Sequence, residues 1–117
     1  GLARMLKLHE ARRVFAYSEP VDMRKSFDGL LAITAHTLRE DPLSGTLFLF
    51  SNRRRNLVKI LFWDRTGFCL YAKRLEQGRF SFRNGELSGR ELELMLDGIA
   101  LGGRQRRRNA VRNAAWS

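Results

Sequence analysis

Leu57-Val-Lys-Ile-Leu-Phe-Trp-Asp-Arg-Thr-Gly-Phe-Cys-Leu-Tyr-Ala-Lys-Arg-Leu75 is the stretch that decides how this chain folds. Two apolar runs flank Asp64-Arg65-Thr66-Gly67, the composition of a type I turn closed by a glycine in the left-handed region. The stretch therefore reads as a β-hairpin with a three-residue, bulged loop. On that expectation Asp64 would face Phe68, Trp63 would face Cys69, Leu61 would face Tyr71 and Lys59 would face Lys73. One face of the hairpin would then carry Val58, Ile60, Phe62, Phe68, Leu70 and Ala72. The other would carry Lys59, Leu61, Trp63, Cys69, Tyr71 and Lys73, a basic and aromatic surface. A two-residue loop would slip one strand and send lysines to both faces, so the bulged register is preferred.

Upstream, Arg13–Ser18 has strand character, and Glu19-Pro20 closes it before a helix with Asp22 as N-cap. Met23, Phe27, Leu30, Leu31, Thr34 and Leu38 recur at helical spacing and leave Arg24, Lys25, Asp28 and Arg39 outward. The turn cluster Asp41-Pro42-Leu43-Ser44-Gly45 leads into the apolar strand Thr46–Phe50, and Asn52–Asn56 is a polar connection. Downstream, Glu76-Gln77-Gly78 turns into a short strand over Arg79–Phe82. A second helix follows, with Ser88 and Glu91 as a capping box, Leu87 and Leu92 as a hydrophobic staple, and Gly102-Gly103 as its stop. Its stripe is Leu92, Met95, Leu96 and Ile99. The order β-α-β-β-β-β-α predicts a small α+β domain, an antiparallel sheet of about five strands with two helices packed on one face. Residues 1–12 read as an N-terminal extension, 13–103 as the single domain and 104–117 as a tail.

At 117 residues the chain has room for one core and excludes most large enzymes. Cys69 is the single cysteine, which forbids an internal disulfide, and with only His9 and His36 as further nitrogen ligands a zinc cluster is not expected. No cofactor is expected either. The first ten residues lack the basic-then-apolar order of a signal peptide and no window reaches membrane-span length, so the expected setting is the reducing cytoplasm. The formal net charge is +10, and such an excess points to a polyanionic partner, nucleic acid before membrane surface. Its distribution is uneven: residues 51–83 hold a large share in folded-looking, aromatic sequence, and the rest of the excess sits mainly in an acid-free end containing Arg104, Arg106, Arg107, Arg108 and Arg112. That end reads as a solvated arm that adds salt-sensitive affinity.

Two constellations are candidates for binding. Arg24 and Lys25 would fall in the first turn of the first helix, where the macrodipole disfavours cations, so either a bound phosphate or an Arg24–Asp28 pair should compensate. Gly29 within that helix suggests close approach by another element. The second constellation is the basic hairpin face. Lys59 opposite Lys73 calls for an anion or an acid between them, with Glu93 and Asp97 of the second helix as the internal option. Trp63 and Tyr71 are placed to stack on bases, while Arg53, Arg54 and Arg55 are placed to hold phosphates. For catalysis the pattern is poor: there is no phosphate loop, no His-x-Glu or Cys-x-x-Cys pair and no nucleophile elbow. A metal-dependent nuclease would have to be built on Asp22, Asp64 and Glu76.

Three blocks in order and at matching spacing, Pro20–Leu30, Asp41–Phe50 and Lys59–Phe80, resemble the TnpB accessory proteins of insertion-sequence-66-type transposable elements. With the leucine-rich second helix the resemblance covers nearly all of 13–99. It implies a small protein encoded beside a transposase and needed for transposition, without a catalytic step of its own. The positions matching the family signature are Asp22, Arg24, Lys25, Asp28, Trp63, Asp64, Lys73, Arg74 and Arg79, whereas Phe82 stands where the family has Trp. The function expected is therefore a non-enzymatic accessory factor of transposition that binds DNA, the transposase of the same element, or both, during assembly on the element ends. Its phosphate contacts would come from Arg24, Lys25, Arg53–Arg55, Lys59, Lys73, Arg74, Arg79 and the C-terminal arginines. The alternatives are an adaptor that binds the transposase without direct DNA contact, and the nuclease.

Overall fold

The computed structural model describes residues 12–98. Five strands form one sheet: β1 (Val14–Ala16), β2 (Leu47–Ser51), β3 (Leu57–Trp63), β4 (Phe68–Arg74) and β5 (Gly85–Leu87). Helix α1 (Phe27–Ala32) lies between β1 and β2, and helix α2 (Gly89–Leu96) follows β5, so the element order is the one expected from sequence. In space the strands run β4-β3-β2-β1-β5. The pairings are antiparallel except β1 with β2, which are parallel because the chain crosses over through α1 between them.

β2 is the centre of the molecule, and all five of its residues are buried. Leu47 and Leu49 point to one side, where they meet Val14, Ala16, Val58, Ile60, Phe62, Phe80, Phe82 and the α2 stripe of Leu92, Met95 and Leu96. Phe48 and Phe50 point to the other side, against Leu30 of α1, Val21 and Leu61. The helices therefore sit on opposite faces of the sheet, not on one. A strand covered on both faces loses its polar side and reads as a continuous apolar run, as Leu47–Phe50 does. Each fully buried Phe or Leu here contributes roughly 1.5–3 kcal/mol relative to an exposed one.

The hairpin takes the register that the sequence reading rejected. Trp63 opposes Phe68, Phe62 opposes Cys69, Ile60 opposes Tyr71, Lys59 opposes Ala72 and Val58 opposes Lys73. Asp64 N–H donates to Gly67 O at 3.0 Å, so Arg65-Thr66 alone make the reversal, and the positive φ belongs to Arg65 (87°). The Asp64 carboxylate accepts from the backbone N–H of Thr66 and of Gly67, which tightens the turn by the residue that a bulge would have used. A bulge would be favoured if one face of the hairpin were wet, but both faces are packed. With both faces packed, sending one lysine to each side is tolerated provided each ammonium finds acceptors.

Three further expectations are corrected. α1 starts at Phe27 after Ser26, not after Asp22: Asp22 instead closes a separate turn, in which Lys25 N–H donates to Asp22 O. The helix then widens into a π turn over Ile33–Thr37, where buried Thr34 hydrogen-bonds back to Leu30 O at 2.9 Å. Arg79–Phe82 is not a strand; Phe80 and Phe82 drop into the core and the fifth strand forms at Gly85–Leu87 beside β1. Helix α2 keeps its predicted capping box, Ser88 Oγ accepting from Glu91 N–H and Glu91 returning the bond to Ser88 N–H. It stops at Leu96, with Gly98 at φ 80° beyond it. Ile99, Gly102-Gly103 and the arginines at 104, 106, 107, 108 and 112 lie outside the described residues.

Candidate nucleic-acid interface

One end of the sheet collects basic residues from four separate segments. Here β1 and β2 finish, β3 begins and β4 ends, since Val58 faces Lys73 and Ser51 faces Val58. Val21 N–H donates to Ser51 O at 2.9 Å, which brings the turn carrying Arg24 and Lys25 to this end. Leu75 N–H donates to Asn56 O and Phe80 N–H to Arg55 O, which folds Arg74 and Arg79 against the loop of Arg53–Arg55. Lys25, Arg53, Arg54, Arg74 and Arg79 are all exposed, and none has a side-chain ion pair or hydrogen bond among the described residues.

Asn52 builds the loop. Its side-chain carbonyl accepts from Asn56 and Leu57 N–H, and its amide donates to Asn56 Oδ1 at 2.6 Å. This lets the chain reverse within a few residues, with Arg53 and Arg54 at the tip and Arg55 turned under at φ 59°. Arg55 differs from its neighbours. Its guanidinium donates to Ser18 O and to Phe82 O, both at 3.1 Å, and lies over the Phe82 ring at 3.9 Å from the centroid. Burial lowers its pKa from the usual arginine value, yet it stays a cation and ties three segments together. It holds the loop; Arg53 and Arg54 present the charge.

The other expected contacts sort differently. Arg24 pairs with Asp22, not Asp28, with Nη2 to Oδ2 at 2.6 Å, and this bond with the Arg24 backbone N–H holds the Asp22 carboxyl down at about 2. Lys59 and Lys73 project from opposite faces and do not oppose one another. Lys59 Nζ donates to Met23 O and Lys25 O, both at 2.8 Å, fixing the turn ahead of α1. Lys73 Nζ donates to Leu96 O at 2.6 Å and so caps the C-terminus of α2, where the dipole favours a cation. Backbone carbonyls thus take the place of the anion that a lysine pair would have needed. Sequence reasoning missed this because a carbonyl left free by an irregular turn carries no residue signature.

Trp63 and Tyr71 are likewise separated. Trp63 stands against Phe68, edge to face at 5.0 Å, while Tyr71 packs on the opposite face beside the α2 core, where burial raises its pKa. They form no common stacking platform. The acids proposed for a nuclease are not assembled: Asp22 lies at the basic end and Asp64 at the hairpin turn, separated by the length of β3, about 20 Å at the usual rise per residue. Asp64 is committed to its turn and accepts from Cys69 Sγ at 3.3 Å; that hydrogen bond leads the lowering of its pKa, while burial first and Asp64 second raise that of Cys69. Gly29 does sit under a close neighbour, but the neighbour is Lys25 of the preceding turn, whose Cβ and Cγ would lie 2.9 Å from an added Cβ.

Comparisons with known proteins give one family and two similar proteins. The family model described as IS66 Orf2-like protein matches residues 12–106. The uncharacterized protein y4jC of Sinorhizobium fredii is 34% identical over 92 residues, 74% of this chain and 79% of its own length. A second uncharacterized protein of the same organism, y4hO, is 35% identical over 100 residues, 81% of this chain and 87% of its own. No solved structure matches.

Proposed function

The chain belongs to the IS66 Orf2-like family, accessory proteins of transposition, and from that premise we propose that it serves by holding DNA at the basic end of its sheet. The observation that supports this reading is the convergence of Lys25, Arg53, Arg54, Arg74 and Arg79 from four segments, exposed and without a side-chain ion pair or hydrogen bond among the described residues. Unpaired cations crowded together raise the free energy of the isolated protein, and a phosphate backbone relieves it. Arg24 is paired, and Arg55, Lys59 and Lys73 donate to backbone carbonyls, so these four act through the fold more than on the ligand. Contacts of this kind position a protein on DNA without reading its sequence. No transfer chemistry is assigned to the site; its part is to bring the transposase and the element's DNA together, with the C-terminal arginines adding to the phosphate grip.

The test is the double reversal Arg53→Glu/Arg54→Glu, made at an exposed loop tip so that the fold is spared. DNA affinity should fall by at least tenfold at low salt, and the slope of log K against log salt should shrink by about two, one per phosphate contact removed. Retained capture of the transposase by the same variant supports the DNA-holding reading. Unchanged DNA binding with lost capture would establish the adaptor instead.

A further inference from the structure

β4 is an edge strand of seven residues, and no described element lies beyond it. The opposite edge, β5, is only three residues long. A long strand edge is usually blunted by a proline, a bulge or an inward charge. β4 has no proline, and its pairing with β3 is continuous from Leu57–Arg74 to Trp63–Phe68 without a bulge. Its one inward charge, Lys73, is taken up by Leu96 O within the subunit and leaves the outer backbone groups of the strand uncovered.

The hydrogen-bonding alternation shows which backbone groups are open. In an antiparallel pair, bonded and non-bonded residue pairs alternate. Asp64–Gly67 at one end and Asn56–Leu75 at the other are bonded, so the bonded pairs between them are Phe62–Cys69, Ile60–Tyr71 and Val58–Lys73. Cys69, Tyr71 and Lys73 therefore point their N–H and C=O groups inward. Phe68, Leu70, Ala72 and Arg74 point theirs outward, with no partner among the described residues.

We propose that this edge takes a second copy of the chain, β4 against β4 antiparallel about a two-fold axis at Tyr71, so that two five-stranded sheets become one. The proposal goes beyond DNA holding and does not depend on it. Only with Tyr71 on the axis do all four open residues of each copy find open partners: Phe68 meets Arg74 and Leu70 meets Ala72. A shift by two residues either way strands Phe68 or Arg74. The same register is compatible in charge. Arg74 of each copy falls opposite a phenyl ring, not another arginine, and Lys73 falls opposite Cys69, beside the Asp64 carboxylate that Cys69 contacts at 3.3 Å. A two-fold dimer is the commonest closed assembly, and this one leaves only the short β5 as an open edge among the described strands.

The experiment is sedimentation equilibrium on the full chain with and without Ala72→Pro. Ala72 N–H points away from β3, so proline there removes no ladder bond within the subunit and blocks only the addition of a strand. The expected result is a concentration-dependent twofold rise in mass for the parent chain, and monomer for the variant with an unchanged circular-dichroism spectrum. Should the proline variant unfold, Tyr71→Cys in a Cys69→Ser background replaces it. The two Tyr71 positions would form a non-bonded pair with Cα atoms about 4.5 Å apart, within disulfide reach. Mild oxidation should give a covalent dimer much faster than Arg54→Cys in the same background. A parent chain that stays monomeric at its solubility limit, or equal cross-linking of the two cysteine variants, overturns the proposal.

Discussion

Single residues in this protein do work that their type does not announce. Arg53, Arg54 and Arg55 are identical in sequence, but only Arg55 has positive φ with its guanidinium donating to Ser18 O and Phe82 O. Reversal at Arg55 should unfold the protein, whereas reversal at its neighbours should not, and thermal melts of the separate variants distinguish them. Glu91 offers a second residue-scale prediction. Its hydrogen bond with Arg83, helped by Ser88 N–H, holds its pKa at about 2. A depressed carboxyl stabilises the fold above its unfolded pKa and loses that contribution as pH falls through the folded value. Stability should therefore decline between about pH 4.5 and 2, and Glu91→Gln should remove part of that decline in urea melts taken across the range. A pH profile identical to the parent's would show that the pair contributes nothing.

At the level of elements, turns and helix ends carried the surprises. The hairpin itself was legible from Leu57–Leu75, but its register rested on which residue of Asp64–Gly67 takes positive φ, and that is Arg65. Helix propensity alone would favour Gly29→Ala by about 1 kcal/mol. Here the added Cβ would lie 2.9 Å from Lys25 Cβ, which is fixed to the backbone and cannot swing aside, and as close to its Cγ. The substitution should therefore destabilise, and it should also shift the turn whose Met23 and Lys25 carbonyls receive Lys59. A melting temperature raised by Gly29→Ala would show that the turn relaxes without cost. The capping box of α2 was legible in full, because Ser88 and Glu91 satisfy each other within one turn and need nothing from elsewhere.

Across the whole molecule, charge is polarised along the strands. The basic end presents Lys25, Arg53, Arg54, Arg74 and Arg79, while the hairpin-turn end presents Arg65 beside Asp64, with Arg12 donating to Gly45 O and Trp63 O. If the basic end holds DNA, Arg65→Glu should change affinity by far less than Arg53→Glu, although each removes the same formal charge. Equal losses would mean that net charge, not location, governs binding. The comparison is best made near 0.1 M salt, where the Debye length of about 10 Å is shorter than the strands and separates the two ends.

The sequence by itself determined the element order, the apolar identity of β2, the α2 cap and the family, because these depend on periodicity and on contacts within a turn. Tertiary structure alone decided the hairpin register, the placement of a helix on each face, the parting of Lys59 from Lys73 and of Trp63 from Tyr71, and the division of Arg53–Arg55 into charge and clamp. The physical reason is common to all four. Each turns on which backbone carbonyls an irregular segment leaves unpaired and on which side of the sheet a neighbour arrives, and neither is encoded in the spacing of side chains along the chain.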